Sequence, residues 1–214
     1  MVLTLVLVGT ACELEAGPTT SSAKAPYEII NPTNDAAFEA DVQSTLNSYP
    51  SYVLSLLDNH TIRLECSPQQ SKADGGCSGT GLFLKDSNII YLDDSTLNRS
   101  GTSKWILTHE VAHVLQDAVR NCYVGGTHAW KLLDDLAGPE APATKAGSWS
   151  SSGYTISMGA LEVTADLFPE FVFPEFEGRV GTYAHKIGVN NGSYTFERPS
   201  NTSEVFTTII NNCL

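Results

Sequence analysis

Between Lys104 and Arg120 the chain reads KWILTHEVAHVLQDAVR, an apolar helical run with two histidines and a glutamate at its middle. Trp105, Ile106, Leu107, Val111, Ala112, Val114 and Leu115 crowd this segment so densely that the helix must be buried, and Thr102 or Ser103 can cap its start. Burial makes His109, Glu110 and His113 costly unless a metal and hydrogen bonds satisfy them. Residues four apart share a helix face, so His109 and His113 aim both imidazoles at one point. Such a pair clamps a cation. Neutral imidazole suits Zn2+, whose catalytic sites keep three protein ligands and one open position. Glu110 falls beside that open position and outside the ligand set, where a carboxylate can take a proton from water. The bland alternative is a histidine-bearing helix with no catalytic metal.

The rest of the chain is compatible with one domain around that helix. Its 214 residues suffice for a single core, which we place at residues 27–214. Residues 1–11 form a short apolar, signal-like segment, too short to span a bilayer, and Gly9-Thr10-Ala11-Cys12 resembles the small-residue box that precedes a lipid-bearing cysteine. Residues 12–26 are rich in Pro, Ser, Thr and Ala, as in a flexible tether. The expectation is an exported protein, secreted or held at the cell envelope through a lipidated Cys12. A net charge of −12, from 24 acidic against 12 basic side chains, argues against nucleic acid as a partner.

With Cys12 set aside, Cys66, Cys77, Cys122 and Cys213 remain, an even number that reads as two disulfides in an exported chain. Cys66 with Cys77 would clasp the patternless loop SPQQSKADGG, leaving Cys122 to tie down Cys213; no Cys-x-x-Cys pair supports a structural zinc site instead. Phe38, Val42, Leu46, Val53, Leu54 and Leu57 recur at helical spacing with Pro50 interrupting, so two short helices or one kinked helix are expected. Thr61–Glu65 alternates as a strand, and Gly81–Lys85 and Asn88–Leu92 flank Asp86-Ser87 as a hairpin. After the HEVAH helix the pattern gives a short helix over His128–Leu136, a loop over Gly138–Gly153, a helix from Ser157 to Phe168 stopped by Pro169, and a last helix over Ser203–Cys213. The fold class is α+β, with a small and mostly antiparallel sheet followed by a helical part.

The third ligand has to come from elsewhere. HExxHxxGxxH is excluded, because Gln116 replaces the glycine and Val119 the last histidine; GTxD is absent too, since Gly181-Thr182 runs on to Tyr183-Ala184. Glu162 and Asp166, in GALEVTAD, lie four apart and face the same way on the predicted helix. His128 and His185 are the rival ligands, and a solvated acidic helix face is the bland reading.

HExxH followed on a later helix by Glu-x-x-Ala-Asp resembles the gluzincin metallopeptidases. The resemblance covers two helices, about 104–120 and 157–168, and Leu161 stands where the thermolysin type has asparagine. It implies that Glu162 is the third zinc ligand and that Asp166 orients His109 through its other ring nitrogen. It also implies a transition-state donor after the third ligand, for which Tyr183 and His185 are the nearest candidates and Tyr154 another.

These residues together lead to the expectation of a zinc peptidase acting on a peptide or protein substrate. Zinc would polarise the scissile carbonyl, and Glu110 would move a proton from water to the leaving amine. An extended substrate would pair with an edge strand above the active helix, for which Asn88–Leu92 is the candidate. Phe168–Phe176, rich in Phe and Pro, reads as a core-covering loop in preference to a substrate wall. Two alternatives remain: a non-catalytic exported protein that keeps the helix pair as a scaffold, which would have no use for Glu110, and a zinc hydrolase acting on a non-peptide substrate.

Overall fold

The structure, a computed structural model, describes residues 25–93, 102–139, 141, 146–151, 153–176 and 199–214. The signal-like segment, Cys12 and most of the tether lie outside them, as do Tyr183 and His185.

The fold is α+β. Helix α1 (Ala36–Asn47) begins where the Asp35 carboxylate accepts from the backbone N–H of Ala37 and Phe38, and it buries Phe38, Val42 and Leu46 on one face. Pro50 splits it from α2 (Ser51–Leu56), so the interrupted pattern is two helices. The main sheet follows: β1 (Glu28–Ile30), β2 (Thr61–Arg63), β3 (Gly81–Leu84) and β4 (Ile89–Leu92), in the order β1-β2-β4-β3. The β3–β4 hairpin forms where expected, with Asn88 in the left-handed region at φ 54°.

Two features of this sheet differ from the sequence expectation. β2 runs parallel to both β1 and β4, so antiparallel pairing holds in the main sheet for β3–β4 alone, although two short hairpins elsewhere are also antiparallel. In addition, Ile89–Leu92 is an interior strand between β2 and β3, and the edge beside the helices is β3. The reason was available in the residues: Ile-Ile-Tyr-Leu is a continuous apolar run, suited to a strand covered on both faces, and Ile90, Tyr91 and Leu92 are all buried.

Helix α3 (Thr102–Ala118) is the HEVAH helix and packs most extensively against α5 (Met158–Val172), while β3 lies across it. Between them come the hairpin β5 (Tyr123–Val124) and β6 (Thr127–His128), helix α4 (Ala129–Ala137), and the hairpin β7 (Ser148–Ser151) and β8 (Tyr154–Ser157). β7 falls inside a stretch that reads as loop, because its serines carry no apolar alternation beyond Trp149. α5 also runs through Pro169, where the sequence predicts a stop. Phe168, Phe171 and Phe206 cluster around this end, and their burial outweighs the one hydrogen bond that proline removes. Pro174–Phe176 closes as a single 3₁₀ turn, and α6 (Thr202–Cys213) lies against α4 and α5. Both disulfides are those expected, Cys66–Cys77 and Cys122–Cys213.

Candidate metal centre

α3 is walled in by Trp105, Leu107, Val111, Val114 and Leu115, so its HEVAH face can point only into the interface shared with α5 and β3. His109 and His113 stand edge to face with ring centroids 4.9 Å apart. Ser157 caps α5, its hydroxyl accepting from Ala160 N–H at 3.0 Å, and the register this sets brings Glu162 opposite both rings. One carboxylate oxygen of Glu162 lies 3.3 Å from His109 Nε2 and the other 3.8 Å from His113 Nε2. The three donors fall within 4.8 Å of one another, and among the described residues no other such group of His, Cys, Asp and Glu forms.

The opposite nitrogen of each ring is engaged. Asp166, one turn beyond Glu162, accepts from His109 Nδ1 at 2.8 Å. Gln116, one turn beyond His113, places its Oε1 2.7 Å from His113 Nδ1. Gln116 is 2% exposed, and its Nε2 donates to Leu161 O at 2.8 Å and to Thr164 Oγ1 at 3.0 Å. Those two bonds decide which end of the amide is which, so Oε1 faces His113 as an acceptor and His113 must carry its proton on Nδ1. Both histidines therefore turn Nε2 toward Glu162, where each offers a lone pair once its ring is neutral. Burial pushes the His109 pKa down, but Asp166, Glu162 and Glu110 outweigh it, and the group titrates well above its ordinary value when no cation is bound.

These residues fit a zinc ion. Ligands about 2.0–2.2 Å from a tetrahedral zinc sit roughly 3.3–3.5 Å apart, close to the spacing of Glu162 from the two rings. Asp166 is 3% exposed, and its Oδ2 has no hydrogen-bond partner among the described residues, a burial that calls for positive charge reaching it through His109. Glu110, 6% exposed, faces the same cavity as the three donors. No known family model matches this chain, and no curated protein does. The site has to be read from its own chemistry.

A cavity of about 530 Å³ opens over the triad, lined also by Gly81–Phe83 of β3, Gln70, Ile106, Trp149 and Met158. The expected residues divide clearly. His109, Glu110, His113, Glu162 and Asp166 all line it. His128 does not; its Nδ1 accepts from Trp130 N–H and caps α4, and its ring stacks on Tyr154, which removes it as a rival ligand. Tyr154 is likewise committed elsewhere, donating to Asp134 Oδ2 at 2.6 Å. Tyr183 and His185 lie outside the described residues. Three contributors went unnoticed in the sequence: Gln116, Trp149 and Gly81. Trp149 had a signal only through its partner strand, where Tyr154 and Ile156 alternate after Gly153, since its own strand is otherwise serine.

Proposed function

We propose that this chain is an exported zinc-dependent peptidase of the gluzincin kind. The observation that carries the reading is the convergence of His109 Nε2, His113 Nε2 and the Glu162 carboxylate, with Glu110 facing the same cavity. A metal clamp without a base could be structural. A buried carboxylate that lines the same cavity as the clamp, one residue on from its first histidine, is what hydrolysis requires. A zinc ion held by His109, His113 and Glu162 would polarise a carbonyl and lower the pKa of water to about 7. Glu110 takes the proton from the attacking water and delivers it to the amine nitrogen as the C–N bond breaks. His109 and His113 keep their Nε2 lone pairs presented because Asp166 and Gln116 hold the opposite nitrogens.

The outer strand of the sheet, β3, supports a peptide as substrate. Thr80 O accepts from Asp93 N–H, so in the alternate register the backbone groups of Gly81 and Phe83 turn away from β4; Gly81 O is taken by Gln70 Nε2, and the Gly81 N–H and the N–H and C=O of Phe83 face the cavity side, where an extended chain can pair with them. The two disulfides support export to an oxidising compartment.

The test is to purify the chain, count zinc per protein and profile a peptide library with wild type and Glu110→Gln. We expect one zinc in both, with cleavage reduced by at least about 100-fold in the variant. Metal-free protein, or equal cleavage by the two, refutes the reading.

A further inference from the structure

Glycines at 79 and 81 flank Thr80 where the chain enters β3 beside α3. Neither has a positive φ, so backbone freedom does not explain them. Space does. A Cβ on Gly81 would stand 2.5 Å from Glu110 Oε1, 2.9 Å from Glu110 Cγ and 2.8 Å from Ile106 Cγ2. A Cβ on Gly79 would overlap the carboxamide of Gln70. The Glu110 side chain thus lies directly against bare strand backbone, and Gln70 lies against the same strip.

Gln70 grips that strip from its open side. Its Nε2 donates to Gly81 O at 3.0 Å, the carbonyl that points away from β4. Its own backbone is fixed in turn. Gln70 N–H donates to Ser67 O at 2.9 Å, and Gln70 O accepts from Ser78 N–H at 2.8 Å and from Ser78 Oγ at 2.9 Å. The Cys66–Cys77 disulfide closes this loop, and Ser71 pairs with Cys77 inside it. β3 is therefore held by β4 on one side and by the clasped loop on the other, at a fixed distance from α3.

We propose that Gly81 is a positioning residue that sets where the Glu110 carboxylate lies, and that Gln70, carried on the disulfide-closed loop, holds the strand at that distance. This rests on reading Glu110 as the proton carrier. Of the neighbours a methyl group would meet, Ile106 is embedded in the core, whereas the Glu110 carboxylate is the end of a flexible side chain. The carboxylate gives way first. A methyl group at position 81 accordingly displaces the base, and its contact with Ile106 Cγ2 moves the strand slightly off α3 as well, while His109, His113 and Glu162, which it does not meet, stay in place.

The experiment compares wild type, Gly81→Ala, Glu110→Gln, the double variant and Gln70→Leu by crystal structure, zinc titration and peptide hydrolysis. Gly81→Ala should bind one zinc, show the Glu110 carboxylate displaced by about 1 Å or more, and lose about 100-fold in kcat with KM within about twofold of wild type. Added to Glu110→Gln it should cost nothing further, since the group it acts through is already disabled. Gln70→Leu should lower kcat in the same direction by a smaller factor, and it carries the test if Gly81→Ala does not fold. An undisplaced Glu110 in the Gly81→Ala structure, an unchanged kcat, or a full additional loss on top of Glu110→Gln overturns the proposal. If wild type cleaves no peptide, the peptidase reading falls, and the position of Glu110 in the Gly81→Ala structure still decides the positioning claim.

Discussion

His109 and His113 stand one turn apart on the same helix, yet the protein supports them by different means. Behind His109 is a carboxylate, Asp166, reaching across from α5. Behind His113 is a carboxamide, Gln116, from α3 itself, anchored to α5 through Leu161 O and Thr164. Both fix the ring and its tautomer. Only one adds charge. Glu162, Glu110 and Asp166 already place three carboxylates around two imidazoles, and a fourth behind His113 would increase the repulsion that a single divalent cation has to offset. An amide delivers orientation without that cost, so the two sides divide the work: Asp166 puts negative charge behind His109, while Gln116 ties α3 to α5.

The comparison breaks most sharply at Asp166→Asn. An amide oxygen can still accept from His109 Nδ1, so geometry survives and the charge is lost. We expect zinc affinity to fall by about 10–100-fold, measured by competition with a chromogenic chelator. Affinity within twofold of wild type would show that the charge behind His109 is dispensable. Gln116→Leu should act on the other side and differently. It removes the acceptor at His113 Nδ1 and one of the donors to Leu161 O, so zinc affinity should drop by about 10-fold and the metal-free fold should lose about 1–3 kcal/mol. Chelator competition and urea unfolding together separate the two effects. A loss of stability with affinity intact would make Gln116 a packing residue only.

The charge difference also predicts a pH response of the metal-free protein. His109 is raised above its ordinary value of 6.5, so its protonated form is favoured by folding. That contribution is fully present below about pH 6.5 and is lost as pH rises through the folded-state pKa. In chelator the melting temperature should therefore decline across that window, and Asp166→Asn should flatten the decline. Zinc should restore stability most at the alkaline end, where the deprotonated imidazole is free to bind it. A melting temperature that rises with pH over the same range would contradict the sign.

Much of this centre was legible in the sequence because helical period is a local rule. His109 with His113, and Glu162 with Asp166, each needed only a spacing of four on an apolar helix. Gln116 gave no such signal, since glutamine is an ordinary helix-surface residue and its role depends on Leu161 and Thr164, which are distant in the chain. The disulfide pairing followed from loop content. The parallel partnership of β2 with β1 and β4 did not, because strand order is a tertiary property, although the unbroken apolar run of β4 marked it as interior. Pro169 misled for a similar reason: a local stop signal was overridden by the aromatic cluster of Phe168, Phe171 and Phe206.

The smallest effect tests whether the amide side works through its anchor. Gln116 Nε2 has two acceptors, and Thr164→Val removes one of them while keeping the shape of the side chain. Thr164 Oγ1 itself bonds back to Ala160 O at 2.9 Å, an acceptor that already serves the helix, so little else is disturbed. The surviving bond to Leu161 O still distinguishes the two ends of the amide, and Oε1 should keep facing His113. Zinc affinity should then change by no more than about threefold, with a stability loss of about 0.5–1.5 kcal/mol for one buried hydrogen bond. A loss of affinity as large as that of Gln116→Leu would mean that the amide turns over once a single anchor is gone, presenting an N–H to His113 and forcing its proton onto Nε2. In that case the orientation of one carboxamide, and not its mere presence, decides whether the second imidazole can serve as a ligand.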